Sequence, residues 1–375
     1  MKKRLLFLAI LMVSHTWAGP KEQAWKLHNR LTGVPPKKDV LEVMTNHIRG
    51  GRAEDAAKVA MNNPNFYNIV LKNWIKPWSN REQTSRADLN DYVATIIGVV
   101  RDEVPFAQVL HSDILYTVSG ATPAYSFTNN DHYKNAESRN LNLKDNLVRQ
   151  TQSAMTGLPA TAVAGVTTTR AAGEAFFSAG TNRRVNRFIF MNYLCKDYEE
   201  LHDVTIPDFR VRGDVERKPG GDARTYKNKC VGCHAGQDAL GGAYAYYDFV
   251  SGRLNYTQGT VVTKMNHNVY HSDAYVTTDD SWLNLWAQGQ NAKLGWRGNT
   301  TGSGAKAIGQ MFSQSKAFSA CIASKVFQLV CMKDAVNTDD KATVDSLANE
   351  FEQDNYNLKN LIVNTSVGCI TDEDE

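Results

Sequence analysis

A mostly α-helical protein is predicted from three observations. Apolar residues recur at helical spacing through most long segments, and Pro, Gly and Asn stand where those segments begin and end. Strand-type patterning is confined to one short stretch. At 375 residues the chain exceeds the usual size of one domain and can bury a large core, so one large or two intimate domains are expected. The chain has no internal repeat, low-complexity tract or long charged linker, which implies that its parts touch.

The first eighteen residues read as an export signal. Lys2, Lys3 and Arg4 form a positive start, Leu5 to Val13 is apolar, and Thr16-Trp17-Ala18 ends in a small residue before Gly19. The apolar run is far shorter than the about 20 residues needed to span a bilayer. No later segment reads as a transmembrane span. Removing the three basic residues of this leader from the 42 in the chain leaves as many as the 39 acidic ones. The mature protein is then expected to be periplasmic, with no charge-based case for a nucleic-acid or anionic-membrane partner.

From Pro20 to about Leu115 the pattern is helical. Pro35-Pro36 precedes a run with Val40, Leu41, Val43, Met44 and Ile48 apolar, closed by Gly50-Gly51. Arg52 to Asn62 and Pro64 to Lys76 give two short helices, and Asp88 to Asp102 carries a wide apolar face. Gly157 to Gly173 is rich in Gly, Ala and Thr and reads as a loop; Gly173 to Cys195 reads as helix. Thr205 to Asp222 is an ordered loop punctuated by Pro207, Gly213, Pro219 and Gly220-Gly221. Ala243 to Gln258 is the one hairpin candidate, turning at Ser251-Gly252. Ala305 to Lys333 and Asp340 to Val363 are helical, the second interrupted at Asn355 or Tyr356. The resulting division is a leader at 1–18, a helical N-terminal domain at 19–155, a loop-rich helical module at 156–265 and a helical C-terminal region at 266–375.

Within the loop-rich module stands Cys230-Val231-Gly232-Cys233-His234. C-x-x-C-H is the spacing at which two thiols add to the haem vinyl groups and the following imidazole takes the iron. With six Cys and nine His, chance would produce this spacing in on the order of 0.2% of shuffled chains. A disulfide between Cys230 and Cys233 is the plain alternative. Half of a zinc site is another, although there is no second C-x-x-C and no H-x-x-x-H at finger spacing from this Cys pair. One covalently held haem c, with Cys230, Cys233 and His234 as its anchors, is the expectation.

The second axial position decides between an electron carrier and a catalyst. Met265, His267, His271 and Met311 are the downstream candidates, with His202 and His111 behind them upstream. His267 and His271 stand four apart but lack the Glu of H-E-x-x-H, so metalloprotease chemistry is not supported. Arg183 and Arg187 are candidates for holding haem propionates, against a solvated helix face. Trp282, Trp286 and Trp296 would either wall a haem or anchor the core. Gly241-Gly242 would admit a close porphyrin edge or form a simple turn.

An exported chain also changes how the four other cysteines read. Cys321 and Cys331 fall in one helix-like run, about 15 Å apart at 1.5 Å per residue, beyond disulfide reach. Two pairings remain. Cys195–Cys321 with Cys331–Cys369 is favoured over Cys195–Cys331 with Cys321–Cys369, and free buried thiols are the third possibility.

Several stretches resemble one family. LNDYVATIIGVVRDEVPFAQVLHSDILYT from Leu89, TTTRAAGEAFFSAGTNRRVNRFIFMNYLC from Thr167, CVGCHAGQDALGGAYAYYDFVSGRL from Cys230, AFSACIASKVFQLVC from Ala317 and LANEFEQDNYNLKNLIVNTSV from Leu347 are similar to modules of the planctomycete-type cytochrome-domain proteins. The resemblance covers most of the mature chain. It implies a helical, exported, haem-associated protein with thioethers at Cys230 and Cys233 and His234 on the iron, and it supplies no reaction. The leading expectation is therefore a periplasmic monohaem c-type cytochrome-like protein that exchanges single electrons with a redox protein partner. A haem enzyme acting on a small oxidant or substrate at an open iron site is the alternative, and a haem-stabilised interaction module the third. Catalytic residues are not assigned.

Overall fold

The computed structural model describes residues 19–371, so the expected leader lies outside the described residues. Helix accounts for 58% and strand for 7%, which bears out the mostly α expectation. Pro20 opens α1 (Pro20–Thr32) where its missing N–H costs nothing, and Gly33 at φ 71° closes it. Helices α2 (Lys38–Arg49) and α3 (Ala53–Met61) follow where the Pro and Gly signals place them. Residues 66–79 are helical but irregular, passing from a π-type to an α-type to a 3-10 turn.

Helix α4 (Asp91–Arg101) is capped by the Asn90 side chain, which accepts the Val93 N–H at 3.0 Å. It is buried from Asp91 to Val100, surrounded on all sides where one wide apolar face was expected. Asp91 accepts the N–H groups of Arg170 and Ala171 at 2.7 and 3.0 Å. Those bonds satisfy backbone donors at the end of the 157–173 stretch and let it run as an ordered loop.

Strand β1 (Leu115–Val118), helix α5 (Asp131–Ser138) and strand β2 (Leu147–Gln150) come next, with β1 and β2 antiparallel and Leu115 opposite Gln150. The stretch expected as one helix from Gly173 is helical at Gly173–Phe177 as a π-type turn and resumes as α6 (Arg183–Tyr193). Asn182 sits at φ 56° and its amide donates to the Tyr244 and Tyr247 carbonyls at 2.9 and 2.8 Å, so a tertiary contact breaks the helix there. Helix α7 (Val231–Gly241) carries the C-x-x-C-H run from Val231 onward. Strands β3 (Tyr247–Val250) and β4 (Arg253–Tyr256) form the expected hairpin about Ser251-Gly252. A third antiparallel pair joins β5 (Ser281–Leu283) to β6 (Thr301–Ser303). The pairs β1–β2 and β5–β6 were not anticipated, because each strand is only three or four residues long and alternation has no length in which to register.

The stretch expected as one helix over 305–333 is two, α8 (Gly304–Gln314) and α9 (Lys316–Cys331). Ser315 is extended between them and caps α9 through the Phe318 N–H. Helices α10 (Thr338–Gln353) and α11 (Leu358–Thr371) are separated at Asn355 and Tyr356, both at positive φ, as expected.

One buried apolar cluster runs from Ala24 to Ile370 across the expected divisions at 155/156 and 265/266. Helix α11 packs on α1, α3 and α9, and Arg30 Nη1 donates to the Cys369 carbonyl at 2.9 Å, so the two ends of the described chain meet. Cys195–Cys321 and Cys331–Cys369 are disulfide-bonded, each with Cα atoms 5.3 Å apart. The favoured pairing is therefore the one present, and α9 is pinned at its middle to the end of α6 and at its C-terminus to α11. No helix among the described residues is long and apolar enough to cross a membrane.

Replacing both Cys331 and Cys369 by Ser releases the loop of 38 residues that they close. The expected loss is about 2–4 kcal/mol, read from urea unfolding; a midpoint and slope equal to the wild type would contradict a native bridge at this position.

Candidate haem attachment site

The two thiols and the imidazole share one side of a helix. At 3.6 residues per turn, Cys230, Cys233 and His234 fall within roughly 100° of each other, whereas Gly232 and Gly236 face the other way. The rest of the helix explains why. A Cβ at Gly236 would stand 2.2 Å from the Trp286 ring, one at Gly242 would stand 2.0 Å from the Ser281 carbonyl oxygen, and one at Gly232 would stand 2.7 Å from the His202 ring. Small residues thus let an indole, a strand and an imidazole seat directly on the helix backbone.

Solvent reaches the helix at one place. From 231 to 247 every residue is buried except Cys233 and His234, and Cys230 immediately before them is also half-buried. Both thiols are free, so the alternative of a Cys230–Cys233 disulfide is not what the chain forms. Cys233 lies 3.3 Å from the Tyr198 carbonyl; burial, followed by the nearby carboxylates of Glu199 and Asp197, pushes its thiol above the ordinary range. No group of three or more His, Cys, Asp or Glu among the described residues is placed to hold a bare metal ion, so the half-zinc alternative has no other half there.

Beneath His234 is a buried ion cluster that sequence reading missed. The His234 side chain is 28% exposed, but Asp238, one turn on, is fully buried, with its Oδ2 3.9 Å from His234 Nδ1. Arg183 approaches Asp238 with Nε and Nη2 at 2.5 and 2.8 Å and turns Nη1 and Nη2 to Asp214 at 2.5 and 2.7 Å. Arg212 gives Asp238 its backbone N–H at 3.0 Å and Nη2 at 3.4 Å. Burial by itself would raise the Asp238 carboxyl, but the guanidiniums of Arg212 and Arg183 outweigh it and hold the group well below the usual carboxylate range. The signal available in the sequence was an acid four residues after the motif histidine, on the same helical face.

The sequence-predicted residues distribute as follows. Arg183 has its donors committed inside the ion cluster and is not a solvated helix face; Arg187 is half-exposed and bidentate to Asp197 at 2.7 and 2.6 Å. Neither is turned free towards a propionate. Met265 is buried and its sulfur takes a donor from Arg212 at 3.3 Å. Met311 is buried, with its sulfur 3.4 Å from Asn284 Nδ2. His271 accepts the Arg217 N–H at 2.8 Å through Nε2. His267 is exposed. His202 lies against Gly232 on the face away from the thiols, and His111 stands beside Gly309 in α8. Trp282 and Trp286 are buried core anchors and Trp296 is half-buried, donating to the Trp286 carbonyl at 2.9 Å. Gly242 accommodates strand β5, which accounts for the Gly241-Gly242 pair without a porphyrin.

The residues present fit a covalently held haem on two counts. The thiols and imidazole open together on one face, and His234 Nδ1 is buried with no hydrogen-bond partner, so Nε2 is the ring nitrogen that would be offered to a metal. Two loops tied to the motif helix also expose large apolar side chains, Val204 and Phe209 on one and Val269, Tyr270 and Val276 on the other. These loops are joined by Tyr270 N–H to the Gly213 carbonyl at 2.8 Å, and reach the helix through Arg212 to Asp238 and Asp203 N–H to the Gly232 carbonyl at 3.0 Å. A separate polar cavity of about 490 Å3, lined by Arg170, Lys134 and Asp88 among others, includes none of the motif residues. No protein family, curated protein or solved structure compared with the chain matches it.

Two consequences are measurable on the unmodified polypeptide. Gly236→Ala should destabilise it by about 1–3 kcal/mol, against the roughly 1 kcal/mol gain that Gly to Ala brings in an open helix; a stabilised variant in thermal unfolding would contradict the Trp286 contact. Alkylation of Cys233, followed by peptide mass spectrometry, should reach half its limiting rate above the about pH 8.5 of an ordinary thiol, and a midpoint at or below that value would contradict the burial assigned to it.

Proposed function

We propose that the chain is a monohaem c-type protein that transfers single electrons, exported to the periplasm and serving a redox protein partner. The observation that carries this reading is the solvent window in an otherwise buried helix, which opens at Cys230, Cys233 and His234 and nowhere else between 230 and 247. Free thiols on that window are accessible to a bulky electrophile. The two disulfides elsewhere in the chain support an oxidising compartment.

The residues have separable tasks in this reading. Cys230 and Cys233 hold the group by two thioethers, and His234 offers Nε2 to the metal. When bound, the haem supplies an iron that cycles between ferric and ferrous states.

A haem enzyme with an open iron position is the second reading. It is favoured by the engagement of both methionine sulfurs and of His271 Nε2 with other partners. Of the four downstream candidates this leaves His267, exposed on the loop after Met265, as the one imidazole turned to solvent.

Protein matured in a host able to attach haem c should weigh one haem more than its polypeptide, and its colour should survive acid-acetone extraction. Cys230→Ala together with Cys233→Ala should abolish both; an unchanged polypeptide mass in the wild type would end the proposal. On the native protein, an inert low-spin spectrum that turns high-spin in His267→Ala is the expected result for the carrier. Carbon monoxide or peroxide binding by the wild type would instead favour the enzyme.

A further inference from the structure

We propose that Asp238 is the positioning residue for the His234 imidazole, accepting its Nδ1 proton and thereby strengthening Nε2 as a donor to the metal, so that the oxidised iron is stabilised. The inference rests on the haem reading above and adds to it the sign of the redox tuning.

Three observations carry it. His234 Nδ1 is buried without a hydrogen-bond partner, and leaving such a group unpaired is costly. The acceptor facing it is Asp238 Oδ2 at 3.9 Å, one helical turn away. The carboxylate is also unable to swing aside, because Arg183 grips both of its oxygens and the Arg212 backbone N–H fixes Oδ2. A ligating imidazole whose second nitrogen donates to a carboxylate is oriented and made more basic by it. Arg183, Arg212, Asp214 and Asp238 form a cluster with two charges of each sign, so the acid is balanced by its own partners.

The test uses the matured holoprotein and the Asp238→Asn variant. Intact mass first establishes that each carries covalent haem, which separates failure of the haem reading from failure of this one. In Asp238→Asn the midpoint potential should rise by at least a tenfold change in the ferric-to-ferrous ratio, about 59 mV for one electron. Because removing a buried charge from two arginines endangers folding, a wild-type measurement stands beside it. In 15N-histidine-labelled holoprotein, the His234 Nδ1–H should be protected from solvent exchange, as a proton held in a buried hydrogen bond is. A rapidly exchanging Nδ1–H in the wild type overturns the proposal, as does a folded, haem-bearing Asp238→Asn whose potential stays within twofold of the wild-type ratio.

Discussion

The site region depends on a single buried carboxylate. Asp238 lies with no exposure between two guanidiniums contributed by distant parts of the chain, Arg183 at the start of α6 and Arg212 in the long loop before the motif. Isolated burial of such an ion costs several kcal/mol, so the cluster persists only because each charge is met by hydrogen bonds of good geometry. That requirement constrains the backbone on three sides. It fixes the start of α6, fixes the 202–217 loop against α7, and orients the face of α7 that carries His234.

The opposite side of α7 is fixed by steric means. Gly232, Gly236 and Gly242 remove three side chains where His202, Trp286 and strand β5 approach the backbone. Ions on one flank and close packing on the other leave the helix one way to face, and the thiol and imidazole edge is what remains for solvent. A helix held only by apolar contacts would tolerate rotation by part of a turn; one clamped by a bidentate arginine does not.

The disulfides act at a larger scale. Both cross-link α9, one to the end of α6 and one to α11, and so tie the C-terminal helix through α9 to α6, whose first residue, Arg183, belongs to the ion cluster. Their pairing was partly legible: ten residues of helix separate Cys321 from Cys331, too far to bridge. The choice between the two remaining pairings followed from which helices pack on α9, and that is a property of the fold.

By itself the sequence determined the helical class, the bounds of α2 and α3, the hairpin about Ser251-Gly252, the break at Asn355 and Tyr356, and the C-x-x-C-H expectation. These are matters of local spacing, turn chemistry and covalent stereochemistry, and local rules suffice for them. Only the tertiary structure decided that Arg183 is an internal counter-ion, that Met265 and Met311 have their sulfurs turned to protein donors, that two further strand pairs exist, and that Asp238 stands under His234. Each of these depends on partners tens of residues away in the chain, and whether a charged or polar side chain is buried is set by those partners and not by its neighbours in sequence.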